Sequence, residues 1–177
     1  MKQHIITILF ISILQTMVIF DFSENSDMSN WFVVNDNVMG GKSQGTFELN
    51  SSGNGLFKGT VSLENNGGFS SVHYRFQRKD TGDTKTLFLR VKGDGKRYQA
   101  RIYANGSDNF SYIAYFETSG DWQTIEIPLE SMYPSFRGRR LDRPNFSSGQ
   151  FIEEFAVLIG NNKAEAFQLE IDKIELK

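Results

Sequence analysis

The stretch from Gly59 to Val72 leaves a chain few ways to fold. Val61 and Leu63 alternate with Thr60, Ser62 and Glu64, the two-residue period of a strand with one buried face. Asn65, Asn66, Gly67 and Gly68 come next, residue types that accept positive φ and so reverse a chain sharply. After Phe69, the residues Ser70, Val72, Tyr74 and Phe76 fall on one face of a second strand. The segment reads as a hairpin: strand, polar turn, strand.

The same punctuation runs down the chain, with turn signals roughly every eight to fifteen residues, as short antiparallel strands require. Trp31 to Val34, Gly45 to Leu49, Leu56 to Glu64 and Phe69 to Gln77 read as strands. Leu87, Leu89 and Val91 alternate with Phe88, Arg90 and Lys92, and Tyr98, Ala100 and Ile102 with Gln99, Arg101 and Tyr103. Tyr112 to Phe116, Trp122 to Ile127, Phe155 to Ile159 and Phe167 to Ile174 complete the set. Sixteen phenylalanines and sixteen glycines without long helical apolar patterns agree with this reading. The expected fold is all-β: a jelly-roll-like β-sandwich. Its expected core includes Leu63, Val72, Leu89, Ile102, Val157, Leu169 and Ile171. Pro128 to Gln150, with Pro134, Pro144 and four arginines, breaks the rhythm and reads as a long loop.

The N-terminus stands apart. Lys2 precedes an apolar run from Ile5 to Phe20 broken only by Thr7, Ser12, Gln15 and Thr16, the outline of a secretory signal or anchor over residues 1–17. The run is short for a membrane span, so no stable span is expected. The domain then covers residues 18–177, and a signal places it outside the cytoplasm, periplasmic or secreted. Met17 to Phe22 also suits a buried first strand, and Met17 suits a start codon, which would leave the chain cytoplasmic.

Chemistry is constrained mainly by what is missing. The chain has no cysteine, which excludes disulfides, thiolate metal sites and cysteine nucleophiles. Its two histidines are His4 in the leader and His73; neither sits in a nucleophile-elbow pattern, and His73 reads as a surface residue on its strand. The carboxylates Asp36, Glu64, Asp94, Asp121 and Asp142 fall at turns and strand ends, where a glycosidase pair is conceivable but acids are ordinary. Met39-Gly-Gly-Lys-Ser43 lacks the upstream glycine of a phosphate loop. Asp36, Asn37 and Asp94 offer oxygen ligands without a calcium-loop spacing. The expectation is a binding protein and not an enzyme, with no cofactor and no metal. A net charge of −2 gives no pull toward nucleic acid.

The basic residues are the better lead. Arg75, Arg90, Lys92 and Arg101 take outward phases of their strands together with Tyr103, while Lys96, Arg97, Arg137, Arg139 and Arg140 lie in loops. Arginine and tyrosine are favoured anchors in recognition surfaces. Lys96, Arg97, Arg101, Tyr103, Arg137, Arg139 and Arg140 are therefore the expected partner-binding set. The turns Gly93 to Arg97 and Phe136 to Arg140 are expected to lie beside Arg101 and Tyr103.

An ordered series of segments carries a resemblance across nearly the whole chain after Phe20: Trp31, then Asn35-Asp-Asn-Val-Met-Gly-Gly-Lys-Ser-Gln-Gly45; Phe57 through Val72; Arg90-Val-Lys-Gly-Asp-Gly-Lys-Arg-Tyr98; Trp122 through Pro128; Tyr133 through Arg139; and Phe167 through Asp172. Together they resemble the family of complex I intermediate-associated protein 30. One departure is Ala164-Glu-Ala166 before Phe167, where the family often has Gly-Pro. The resemblance implies a galactose-binding-like jelly roll without known catalysis and chaperone-like help in assembling respiratory complex I, with unfolded or assembling subunits as partners. The same fold class includes carbohydrate-binding modules, so glycan binding is the rival role.

Overall fold

A computed structural model describes residues 16–106 and 108–177. Its strands are β1 (Met17–Asp21), β2 (Trp31–Asn35), β3 (Gln44–Leu49), β4 (Gly55–Val61), β5 (Ser70–Asp80), β6 (Thr86–Lys92), β7 (Arg97–Tyr103), β8 (Ser111–Glu117), β9 (Trp122–Pro128), β10 (Tyr133–Phe136), β11 (Arg139–Arg140), β12 (Phe151–Ile159) and β13 (Glu165–Leu176). They form two antiparallel sheets. One has six strands, ordered β3-β4-β13-β6-β9 with β1 also on β13; the other has seven, ordered β11-β10-β8-β7-β12-β5-β2. This is the expected β-sandwich.

Alternation decides which side chains meet between the sheets. On β6, Leu87, Leu89 and Val91 are buried while Phe88, Arg90 and Lys92 are half-buried. On β13, Phe167, Leu169 and Ile171 face inward, and a bulge between Ile171 and Lys173 resets the phase so that Ile174 and Leu176 are inward too. From the seven-stranded sheet Val72, Tyr98, Ala100, Ile102, Phe155 and Val157 complete the interior. β1 seals one end by placing Phe20 and Phe22 against Trp31.

Three sequence expectations fail on fold. The segment from Gly59 to Val72 is not a hairpin: β4 belongs to the six-stranded sheet and β5 to the seven-stranded one. Asn65 and Asn66 do take positive φ, at 55° and 59°, but they end a short 3-10 turn that carries the chain from one layer to the other. Leu63 has already left β4 there and is 45 % exposed, not core. Pro128 to Gln150 is not one long loop; it contributes β10 and β11 to an edge of the seven-stranded sheet. The expected signal or anchor lies in residues 1–17, of which 1–15 fall outside the described residues; the buried-strand reading from Met17 matches β1. Among the described residues no helix is long and apolar enough to cross a membrane.

Candidate functional site

The outer face of the seven-stranded sheet, turned away from the core, is made by the alternate residues of each strand. Register places Ser71 and His73 (β5) beside Leu158 and Ala156 (β12), which lie beside Gln99 and Arg101 (β7). β8 follows with Tyr115 and Ile113, and β10 with Tyr133 and Ser135. A groove of about 460 Å³ runs over this floor. Ser71, His73, Gln99, Arg101 and Tyr103 lie beneath it, and Asn66 to Phe69, Phe110 and Phe136 to Gly138 form parts of its wall.

Most polar groups around the groove are already matched. His73, expected on the surface, is 8 % exposed. Its Nδ1 lies 2.7 Å from Glu154 Oε1, and its Nε2 lies 2.9 Å from Ser71 Oγ. Arg75 Nε donates to the other Glu154 oxygen at 2.7 Å. Burial alone would push the Glu154 carboxyl up, but the bonds from His73 and Arg75 outweigh it and hold the group below its usual range. Ser71, His73 and Glu154 are the residue types of a hydrolase triad. Ser71, however, is 2 % exposed and its hydroxyl also reaches Val34 O at 3.1 Å. It lies mid-sheet between Val34 and Leu158, where ladder pairing takes up the backbone N–H groups that serve as oxyanion donors elsewhere.

Asp36, the other acid at the groove, is matched even more fully. Its carboxylate accepts from Ser43 N at 2.9 Å, from Ser43 Oγ, from Gly68 N at 2.6 Å and from Phe69 N at 3.3 Å. Burial opposes ionisation, yet these bonds hold the Asp36 carboxyl below the usual carboxylate range. A Cβ on Gly41 or Gly67 would overlap that carboxylate, so one glycine from each turn makes room for the acid. Asp94 likewise ties separate pieces of chain together. It accepts from Tyr98 Oη at 3.0 Å and Gln168 N at 2.9 Å and pairs with Lys96 at 2.7 Å. Neither acid is arranged as a metal ligand or as half of a glycosidase pair. Among the described residues no group of three or more His, Cys, Asp or Glu side chains could hold a metal.

Arg101 is the exception. It donates to Gln99 Oε1 at 2.8 Å, but its buried Nε has no partner. Around it, guanidinium groups lie over aromatic rings: Arg97 over Tyr115 at 4.5 Å, Arg140 over Tyr133 at 4.8 Å, Arg137 over Phe136 at 5.3 Å and Arg143 over Phe110 at 5.0 Å. Burial beside Tyr115 pushes the Tyr133 phenol up against the opposing pull of Arg140, Arg101 and Arg97.

The expected partner-binding set is thus divided. Arg101, Tyr103 and Arg137 line the groove. Arg97 and Arg140 share the phases of Gln99 and Ser135, on the same outer face. Lys96 is tied to Asp94, and Arg139 takes the opposite phase to Arg140 at the sheet edge. The groove is walled by the turns around Gly67 and Gly138; the Gly93 turn, expected beside Arg101, does not line it. Arg90 and Lys92 are on the six-stranded sheet, so they do not join Arg75 and Arg101 on one face. Sequence reasoning missed His73 with Glu154, which are 81 residues apart and meet only through the β5–β12 pairing.

Residues 20–171 match the family model described as Complex I intermediate-associated protein 30. The mitochondrial proteins of that name from Drosophila melanogaster and Mus musculus are 28% and 26% identical to this chain, over 92% and 90% of it. The chain spans 63% and 56% of their lengths. The mitochondrial setting in those names matches neither the exported nor the cytoplasmic expectation. Among solved structures, a family 11 carbohydrate-binding module from Clostridium thermocellum, in complex with a β-1,3-1,4-mixed-linked tetrasaccharide, superposes with a TM-score of 0.66. It is 20% identical, over 93% of this chain and 96% of that one. An agarase domain gives a TM-score of 0.59 at 13% identity, covering 92% of this chain and 24% of that one. At these identities the likeness establishes the jelly-roll fold.

Proposed function

This chain belongs to the family of complex I intermediate-associated protein 30, and from that premise we propose that it is a non-catalytic protein-binding module that assists assembly of the respiratory NADH dehydrogenase. The groove over β5, β12 and β7 is where it holds a partner chain. The observation that supports this reading is Arg101: a guanidinium on the groove floor that forms no ion pair, while the nearby acids Asp36 and Glu154 are engaged by other groups. A carboxylate hydrogen-bonded to a guanidinium is among the stronger polar contacts, so a ligand that brings one is held there. The enclosure of Ser71 in the sheet supports the non-catalytic reading against a serine hydrolase.

The test is deletion of the gene in its source cell, with assembly of NADH:ubiquinone oxidoreductase followed on native gels. Accumulated subassemblies are expected, restored by the wild-type chain and not by Arg101→Glu. Normal assembly in the deletion strain refutes the role.

A further inference from the structure

The groove carries a charge imbalance that specifies its occupant more narrowly. None of the ion pairs among the described residues includes Arg97, Arg101, Arg137, Arg139 or Arg140. Glu117 lies across from Arg97 without forming an ion pair with it, and the two acids nearest the floor are engaged by other groups. Asp36 is enclosed by Ser43, Gly68 and Phe69, and Glu154 by His73 and Arg75. The floor and rim therefore present cations that no carboxylate among the described residues approaches to ion-pair distance.

The aromatic rings point the same way. A neutral sugar is held largely by laying its C–H face on an open ring. Here the rings of Phe136, Phe110, Tyr115 and Tyr133 each carry a guanidinium 4.5–5.3 Å from their centroids. Such stacking orients a guanidinium while leaving its in-plane N–H groups free for carboxylates. The face presents ordered charge over four of its rings, while Tyr103 and Phe69 in the groove carry no guanidinium.

We propose that this groove takes an acidic stretch of polypeptide, with an Asp or Glu carboxylate on Arg101 at the floor and neighbouring acids along Arg137 and the arginine-covered rings of Tyr115 and Tyr133. This identification rests on the protein-binding reading above and narrows it. The carboxylate supplies the counter-charge that Arg101 lacks, and a fork of two N–H donors to one carboxylate gives it direction.

The experiment uses the full chain, immobilised and equilibrated with a pool of random octapeptides; the bound fraction is sequenced by mass spectrometry at low and at high salt. Asp and Glu are expected to be enriched in the bound peptides, and the enrichment to fade in high salt. One enriched peptide, synthesised and titrated, is expected to bind roughly ten- to hundred-fold more weakly to Arg101→Gln. Arg137→Asn, on the exposed rim at a φ that asparagine accepts, is expected to weaken it several-fold, and circular dichroism checks that both variants fold. Bound peptides without acid enrichment, or enriched in Lys, overturn the acidic identification and leave the protein-binding reading standing. An empty bound fraction overturns the acidic identification. Binding of a mixed-linked β-glucan oligosaccharide to the groove with no bound peptide overturns both.

Discussion

Replacing Asp36 by alanine is the sharpest test of how the glycine-rich turns are held. Four donors converge on this carboxylate, which is 1 % exposed: Ser43 N, Ser43 Oγ, Gly68 N and Phe69 N. Two of them have relief in the variant. The Ser43 hydroxyl already lies 3.3 Å from Ser62 O, and the Phe69 bond is long at 3.3 Å. Ser43 N and Gly68 N have none. At about 1–3 kcal/mol for each buried donor stripped of its acceptor, Asp36→Ala is expected to cost about 3–5 kcal/mol. For a domain of this size a loss near 4 kcal/mol lowers Tm by about 8–16 °C. Asp36→Asn keeps the volume but turns an amide donor toward donors, and is expected to cost about 2–4 kcal/mol.

The assay is urea unfolding followed by tryptophan fluorescence, with a double-mutant cycle. If Gly41 is glycine because a Cβ there meets the Asp36 carboxylate, Gly41→Ala is destabilising in the wild type and much less so beside Asp36→Ala. A coupling of about 1 kcal/mol or more is expected. The pH dependence has a definite sign. The folded-state pKa of Asp36 lies below its ordinary value of 3.8, so the folded chain binds this proton less readily than the unfolded chain. The carboxylate's contribution is full above the unfolded pKa and is lost as pH falls from about 4 through the folded value. Asp36→Asn removes that part of the acid sensitivity. A stability within about 1 kcal/mol of wild type for Asp36→Ala, or an undiminished Gly41→Ala penalty beside it, refutes the clamp.

Three further outcomes are expected. Glu154→Gln breaks a charged network whose acid side chain is 9% exposed and is expected to cost about 2–3 kcal/mol in urea unfolding. Arg75→Ala removes a partner that is 70% exposed and is expected to cost under about 1 kcal/mol; the reverse order would contradict the network as described. Phe57→Ala, at a fully buried ring whose centroid lies 4.7 Å from that of Phe167, is expected to lower stability by about 3–5 kcal/mol. Leu63→Ser, on the exposed turn, is expected to change it by less than about 0.5 kcal/mol. A fluorophosphonate probe is expected to leave Ser71 unlabelled in intact-mass spectra, since a triad without accessible oxyanion donors does not activate its serine. Labelling abolished by His73→Ala would make the protein a hydrolase.

The strands were legible because alternation is a local signal. Leu87, Leu89 and Val91 declare their face within one strand, and so do Tyr98, Ala100 and Ile102. Which strands pair is not local. Gly59 to Val72 has the chemistry of a reversal, and two of its asparagines do take positive φ, yet that chemistry suits a crossing between layers as well as a hairpin. The choice is made by Asp36, more than thirty residues away from the amides of Gly68 and Phe69 that it holds. The periodicity of β10 was likewise hidden, because Pro134 and the neighbouring arginines look like loop chemistry. Pro134 is tolerated there beside β8, in a four-residue strand next to the edge.

The site shows the same division between local and distant information. Arg101 and Tyr103 were identifiable by phase alone. Whether a given cation is free for a partner depends on what the fold brings against it, and there the turns mislead. The Gly93 turn looks like a recognition loop, but its Asp94 holds Tyr98, Lys96 and the Gln168 amide. The Asn35 to Gly45 segment looks like an anion loop, yet its acid is consumed within the structure. Asp36 stands in the wall of a groove whose floor carries Arg101; it stays ionised there, but its oxygens are turned to the Ser43, Gly68 and Phe69 donors and form no ion pair with that guanidinium. The carboxylate that shapes the rim thereby leaves the guanidinium on the floor without an ion-pair partner, as the proposed docking of an acidic segment requires.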